Sequence, residues 1–194
     1  IAEVDDRGLL RVGPRSAGSE PGPACYGRGG TEPTVTDADV ALGKIDPAYF
    51  AGGKIRLDEA GAKTALQKAI GTPLGLKDFW PAAGVTEIVE ENMANAARVH
   101  AIERGRDIAA CTMIAFGGGA PLHACRLAEK VGVTSIIVPK GAGVGSAIGS
   151  HGHEHVVVET DLVALPRVVG DPIAFRRILE NLIANAVDSL PSAA

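Results

Sequence analysis

Aromatic side chains are scarce in this sequence, at 4% of 194 residues, and only three cysteines occur, none in a Cys-x-x-Cys spacing. An odd, scattered set of cysteines excludes a disulfide framework and a cysteine-based zinc knuckle, and it predicts a reducing, cytoplasmic setting. An excess of basic residues is also missing, because 19 Lys and Arg face 23 Asp and Glu. Since a clustered basic surface is the footprint of nucleic-acid binding, we expect no nucleic-acid partner.

Long apolar runs are absent as well. No stretch approaches the ~18 residues that a membrane helix needs, and no signal peptide opens the chain, so we expect no membrane association. The 46% of hydrophobic residues still suffices for a buried core, which excludes disorder. The first residue is Ile, and from this we expect the chain to be a fragment.

Glycine and proline are concentrated near the N-terminus. The segment GPRSAGSEPGPACYGRGGTEPTVTDADVALGKIDP is predicted to be a long ordered loop, because its prolines are incompatible with a helix interior. The loop leads into a structured segment at residues 37–42. A short surface helix is predicted at residues 58–70. A longer helix is expected to start at a Thr86 cap and to end at Gly105.

The pattern that follows is typical of a βαβ unit. An apolar run of strand length at residues 108–116 leads into a glycine turn, Gly117-Gly118-Gly119. Residues 122–131 are predicted to be a helix that begins at Pro121, and residues 135–138 a second strand. Two strands joined in this way run parallel. The predicted fold class is therefore α/β.

Two carboxylates lie two residues apart in the segment Thr-Asp-Ala-Asp-Val. On a strand Asp37 and Asp39 would share a face and could hold Mg²⁺ through oxygen ligands. Alternatively, Asp37 caps a short helix and Asp39 is solvated. Spacing alone leaves both possibilities open.

Three further features have a functional and a purely structural interpretation. Glycines between a strand and a helix let backbone N–H groups approach an anion or a nucleoside, but they also form ordinary tight turns. His123, in the first turn of the next helix, fits a packed residue better than a catalyst. Cys25, in a glycine-flanked loop, has no identifiable base to activate it as a nucleophile.

The C-terminal part has a different composition. His151, His153 and His155 would share one strand face, which suits a transition metal, although an exposed polar strand explains them equally simply. An amphipathic helix is predicted from Asp171 onward, with Asn181 and Asn185 beside its apolar stripe.

Three stretches together resemble the hydantoinase A / 5-oxoprolinase family over residues 1–149. They are the loop segment quoted above, ENMANAARVHAIERGRD, and IAFGGGAPLHACRLAEKVGVTSIIVPKGAGVGSAIG. The resemblance implies part of an actin-like (ribonuclease H-like) ATPase domain with an appended C-terminal amphipathic helix. It further implies ATP- and Mg²⁺-dependent opening of a cyclic amide, or carboxylation of a ketone, and a hydantoinase B-type partner subunit.

The same resemblance suggests site residues. Gly117, Gly118 and Gly119 would face the adenosine of ATP, and Asp37 and Asp39 would be catalytic groups near the metal or phosphate. The family's upstream phosphate motif, of Asp-x-Gly-Gly-Thr type, does not occur in this sequence. We therefore expect the chain to hold the adenosine side of a cleft without its phosphate side, and to bind ATP weakly.

Residues 156–192 instead resemble the N-box region of a sensor histidine kinase, which implies that Asn185 coordinates Mg²⁺ and that residues 150–194 are an appended segment. The leading hypothesis is a fragment of an ATP-dependent cyclic-amide hydrolase or a related carboxylase subunit. The alternatives are a signalling module related to the kinase domain and a non-catalytic relic.

Overall fold

The computed structural model describes residues 1–139 and 142–144. It contains two compact units, residues 1–96 and the residues from 97 onward. Each unit is described separately below. The C-terminal amphipathic helix, the histidines at 151, 153 and 155, and Asn181 and Asn185 lie outside the described residues.

The first unit opens with an antiparallel hairpin that the sequence did not predict. Strand β1 (Ala2–Val4) pairs with β2 (Leu10–Val12), with Glu3 opposite Arg11. The turn is organised by Asp5, whose carboxylate accepts hydrogen bonds from the backbone N–H groups of Arg7 (3.0 Å) and Leu9 (2.9 Å). The hydrogen bond from the Leu9 N–H is the largest cause of a lowered pKa at Asp5. The Arg11 guanidinium and the Arg7 N–H lower this pKa further.

The predicted long loop follows the hairpin and contains one 3-10 turn, Ala24–Tyr26. It folds back on itself so tightly that a Cβ atom at Gly30 would overlap the carbonyl oxygen of Gly22, which explains a glycine there. The loop ends at helix α1 (Val35–Ala41). The expectation of a loop that runs into structure near residue 37 is confirmed.

Helix α2 (Glu59–Leu66) begins at Asp58, whose side chain accepts the N–H of Gly61 at 2.9 Å. It continues through a π-helical stretch, Gln67–Gly71, into the single turn α3 (Thr72–Leu74). The predicted helix at residues 58–70 is thus confirmed and extends further. It is not merely a surface element, because one face is buried in the core.

Helix α4 (Trp80–Glu103) begins six residues before the predicted start. Thr86 is therefore not a cap. It is buried inside the helix, and its hydroxyl donates to the carbonyl of Ala83 at 3.1 Å. Pro81 lies in the first turn, where a missing N–H is tolerated. The helix ends before Gly105, which has φ +60°, as predicted.

The core of the first unit joins β1, α1, α2 with its π-helical extension, and α4. Its buried residues are small or aliphatic: Ala2, Ala38, Leu66, Ile70, Ala82 and Val85. A second cluster lies between α1, α2 and the loop: Cys25, Val40, Leu57 and Ala62. The buried side of the loop, which carries Cys25, is held by this packing. Cys25 and the N-terminus of α1 therefore have defined positions.

The second unit contains the predicted βαβ arrangement in shortened form. Strand β3 (Met113–Ile114) and strand β4 (Ile136–Ile137) are parallel, with Met113 opposite Ile136. Helix α5 (Ala124–Val131) connects them, and a 3-10 turn, Ala120–Leu122, precedes it. The first part of the predicted strand at residues 108–116 is instead a 3-10 turn, Ile108–Ala110.

The observed architecture is mixed α/β, as the sequence predicted. Across residues 1–139 and 142–144, no helix is both long enough and apolar enough to cross a membrane.

Candidate functional site

Asp37 lies in the first turn of α1 and forms a capping box with Thr34. The Asp37 N–H donates to Thr34 Oγ1 at 3.3 Å, and the Asp37 carboxylate accepts the Thr34 N–H at 2.8 Å. This reciprocal pair satisfies backbone donors that the start of a helix leaves free. The local sequence Thr-Val-Thr-Asp is sufficient to form it.

The same carboxylate also holds the long loop. Asp37 Oδ1 accepts the N–H of Cys25 at 2.7 Å, and Oδ2 accepts the N–H of Ala24 at 3.2 Å and the Thr34 hydroxyl at 2.8 Å. Asp37 is fully buried. A carboxylate offers about four acceptor positions, and here Oδ2 accepts three hydrogen bonds and Oδ1 accepts one. This pattern favours the capping alternative for Asp37 over a metal ligand. A role for Asp37 and Asp39 near a metal or phosphate stays a prediction.

Cys25 is buried beside this carboxylate. Burial, and then the negative charge of Asp37, raise the pKa of the Cys25 thiol far above its ordinary value. A cysteine nucleophile must be a thiolate, so this thiol is inert at neutral pH. The carbonyl of Cys25 accepts the N–H of Asp58 at 2.7 Å. The Cys25 peptide thereby links the starts of α1 and α2.

Asp39 is not solvated as the capping alternative supposed. Its side chain is buried, and Oδ1 lies 3.6 Å from Lys44 Nζ. The same ammonium donates to Oε1 of the buried Glu90 at 3.1 Å. Two buried carboxylates therefore share one lysine, and such a pair depends on its cation for stability.

Glu90 and Lys44 were not recognised from the sequence. They are 46 residues apart, and Glu90 has the appearance of an exposed acidic residue near a helix start. The ion pair joins two positions that are distant in the sequence, and no local pattern indicates it.

Ala115 and Phe116 separate the end of β3 from the glycine turn. Gly117 has φ +97°, which a residue with a side chain rarely adopts, and its N–H donates to the carbonyl of Ala142 at 2.7 Å. A Cβ atom at Gly118 or Gly119 would meet no heavy atom within 4 Å. Of these three positions, only Gly117 has a backbone conformation that requires glycine. The other two leave the backbone of the turn open to a ligand.

His123 is buried at the start of α5, where its carbonyl accepts the N–H of Leu127 at 2.9 Å. This position agrees with the packed interpretation of that residue. In the part of the chain that the structure describes, no three His, Cys, Asp or Glu side chains come together as a metal site. Asn185, predicted to bind nucleotide and Mg²⁺, lies outside that part.

Known proteins match this chain over the same segment. A family model described as hydantoinase/oxoprolinase matches residues 1–151. The caprolactamase subunit alpha of Pseudomonas jessenii is 45% identical over 149 residues, which are 77% of this chain and 21% of that subunit. The acetophenone carboxylase gamma subunit of Aromatoleum aromaticum is 46% identical over 151 residues, covering 77% and 20%.

Two solved structures share the fold. The ATP-dependent caprolactamase from Pseudomonas jessenii superposes with a TM-score of 0.69 at 46% identity, over 73% of this chain and 20% of that one. Nucleotide-free acetone carboxylase, a structure concerned with ATP-dependent acetone carboxylation, gives a TM-score of 0.67 at 29% identity, with the same coverage. The chain spans about a fifth of the length of the relatives it matches.

Proposed function

The chain belongs to the hydantoinase/oxoprolinase family, and from this membership we propose that it forms part of an ATP-dependent enzyme subunit. The substrate class would be a cyclic amide, such as 5-oxoproline, a hydantoin or a lactam, or else a ketone that is carboxylated. In this proposal the second unit belongs to an actin-like nucleotide-binding domain, and the glycine turn faces the adenosine of ATP.

The observation that carries the proposal is the open glycine turn at the end of a parallel strand. Ligands of α/β folds bind beyond the carboxyl ends of such strands, where backbone N–H groups are free to approach them. Gly118 and Gly119 lie at this end of β3, and neither needs to be glycine for packing. Relatives and structural neighbours described as ATP-dependent support the nucleotide assignment.

The carbonyl carbon of an amide is a poor electrophile. ATP would activate it, because phosphorylating the amide oxygen makes that carbon reactive. The turn is suited to position a nucleoside, and it carries no acidic side chain. The described residues contain no group of three His, Cys, Asp or Glu side chains that could hold a metal ion, and a role of Asp37 and Asp39 near Mg²⁺ or phosphate rests on the family resemblance alone. Relatives named as alpha, beta and gamma subunits favour a partner subunit, which we propose to be of the hydantoinase B type.

Calorimetric titration with ATP tests the glycine turn. We expect weak binding, on the order of millimolar, that Gly118→Ala reduces about tenfold through the loss of one close backbone contact. Because a Cβ at Gly118 meets nothing, this variant should melt at the wild-type temperature.

Two further variants separate strain from binding. Gly117→Ala and Gly132→Ala both place a side chain at positive φ, at +97° and +76°, and each should lose about 1–2 kcal/mol of stability. Only Gly117→Ala should also weaken ATP binding. Unchanged ATP affinity in Gly118→Ala would contradict the proposal.

A further inference from the structure

A cavity of about 500 Å³ lies in the first unit, between helices α1, α2 and α4. Small-molecule sites have volumes of about 300–1,000 Å³. The apolar part of the lining includes the buried side chains of Leu66 and Ala82. Lys63, Gln67 and Asp78 line the same cavity. An apolar cavity with a few polar groups is typical of a site for an amphipathic small molecule.

The π-helical stretch after α2 holds the chain segment that leads to Asp78. Gln67 Nε2 donates to the carbonyl of Leu76 at 3.1 Å, and the Leu76 N–H donates to the carbonyl of Gly71 at 2.8 Å. A Cβ atom at Gly71 would overlap the Gln67 amide, so glycine lets this side chain lie against the backbone. π-Helical stretches are rare and occur frequently at functional sites. Here the stretch fixes one side of the cavity.

Asp78 is followed directly by two exposed aromatic rings. It has φ +57°, a backbone conformation that residues with a side chain rarely adopt and that is enriched at ligand sites. Phe79 also lines the cavity and stacks on Trp80, with 4.8 Å between the ring centroids. Among the described residues, no cation pairs with the Asp78 carboxylate. A carboxylate beside an aromatic ring suits an ammonium group, because both attract a cation.

Lys63 supplies the opposite charge. Its Nζ donates to Oε1 of the exposed Glu59 at 2.6 Å, and within the ranges that the structure describes it donates to no second acceptor. An ammonium has three donors, so two stay available to an anion. The cavity therefore combines an anion-binding group on α2, a cation-binding group in the turn before α4, and an apolar lining.

We propose that this cavity binds a linear ω-amino acid. The ammonium of the ligand lies against Asp78 and the ring of Phe79. Its carboxylate lies at Lys63, and its methylene groups cover Leu66 and Ala82. Hydrolysis of the C–N bond of a lactam leaves an amine and a carboxyl group on one aliphatic chain, so the product of the proposed reaction belongs to this class. That link rests on the proposed function, whereas the site rests on the cavity and its charges alone.

The sequence contains a single tryptophan, and Trp80 stacks on the ring that contacts the ammonium. Its fluorescence in the full chain is titrated with ε-aminocaproic acid, hexylamine and hexanoic acid, and N-acetyltryptophanamide serves as the blank. We expect a saturable change with ε-aminocaproic acid at about millimolar concentration. Hexylamine and hexanoic acid each lack one charge. They should bind about threefold to fivefold more weakly, because a solvated ion pair contributes little.

Two charge variants locate the ends of the ligand. Asp78→Asn removes the negative charge, and asparagine tolerates a left-handed backbone, so the fold should be kept. This variant should bind ε-aminocaproic acid and hexylamine about threefold to fivefold more weakly and hexanoic acid unchanged. Lys63→Gln should weaken ε-aminocaproic acid and hexanoic acid and leave hexylamine unchanged. The matched control is Lys68→Gln, at an exposed lysine outside the cavity, which should change none of the three affinities.

Three results would overturn the proposal. They are absence of a saturable change, equal affinity of the wild type for the three ligands, and unchanged hexylamine binding by an Asp78→Asn variant that melts at the wild-type temperature. A dimer in sedimentation whose formation alters Trp80 fluorescence would also contradict it, because a second copy would then cover the cavity. Binding of ε-aminocaproic acid by a chain that binds no ATP would refute the proposed function and leave this site standing. ATP binding without binding of ε-aminocaproic acid would refute the site alone.

Discussion

Replacing Asp37 tests whether this carboxylate holds the fold together. Four donors converge on it within 3.2 Å: the N–H groups of Ala24, Cys25 and Thr34, and the Thr34 hydroxyl. Removing the Asp37 carboxylate leaves these buried N–H and O–H donors without this acceptor. The loop would then lose its hydrogen bonds to the Asp37 side chain of α1.

The expected size follows from the hydrogen bonds. A bond to a charged acceptor contributes about 1.5–3 kcal/mol by itself, but four bonds to one group are not additive. We expect Asp37→Ala to lower the free energy of unfolding by about 4 kcal/mol. Asp37→Asn, which keeps one acceptor oxygen, should lose about 2 kcal/mol. The larger loss corresponds to roughly 10 °C in melting temperature.

Thermal and urea melts followed by circular dichroism measure these changes. The matched control is Asp58→Ala, because Asp58 also begins a helix but accepts a single N–H, that of Gly61, at 2.9 Å. It should cost about 1 kcal/mol. A melt of Asp37→Asn within error of the wild type would refute the structural role and favour a catalytic or metal-binding one. Absence of any cooperative transition in the wild type would favour the non-catalytic relic.

Two other predictions concern buried groups. Lys44→Met should lower stability by about 3 kcal/mol, because it leaves two buried carboxylates without this cation, whereas Lys63→Met, at an exposed ion pair, should cost less than about 1 kcal/mol. If urea melts gave the two variants comparable losses of unfolding free energy, the ion pairs of Lys44 with Asp39 and Glu90 would not form a buried cluster. Iodoacetamide at pH 8 should label Cys111 and Cys125 in the native protein and reach Cys25 only in denaturant, as mass spectrometry would show. Native labelling of Cys25 at a comparable rate would contradict its burial and raised pKa.

The βαβ unit was predictable because each of its parts has a local signal. Glycines mark the turn at 117–119, Pro121 marks the following helical turn, and apolar runs mark the strands. The strands are nevertheless shorter than their apolar runs. Hydrophobicity indicates burial, but it cannot by itself distinguish an extended backbone from the 3-10 turn at Ile108–Ala110.

The start of α4 was not predictable from Thr86, since a threonine followed by acidic residues is the ordinary signature of a helix start. Here the Thr86 hydroxyl bonds back to Ala83 within the helix, and the helix begins at Trp80. The hairpin was missed for another reason. Its strands have three residues each, too few for alternation to be recognised, although Asp5 and Gly8 are typical turn residues.

The two candidate carboxylates show the limit of spacing arguments. On spacing alone, Asp37 and Asp39 could equally have formed a metal site or a helix cap. Partners that lie far away in sequence decide how each is used: Cys25 for Asp37, and Lys44 with Glu90 for Asp39. By contrast, the local sequence marks the turn at residues 117–119, whereas contact of this turn with a nucleotide stays a prediction.

The most direct test of the nucleotide assignment is an amide chemical-shift titration of the full chain with adenosine, ATP and inorganic triphosphate. The account predicts that adenosine and ATP, at about millimolar concentration, move the amide signals of Gly117, Gly118 and Gly119 more than any others. Triphosphate alone should leave them in place, because in the proposed site the turn faces the adenosine. Unmoved glycine signals in the presence of adenosine, or shifts confined to other residues, would contradict the account.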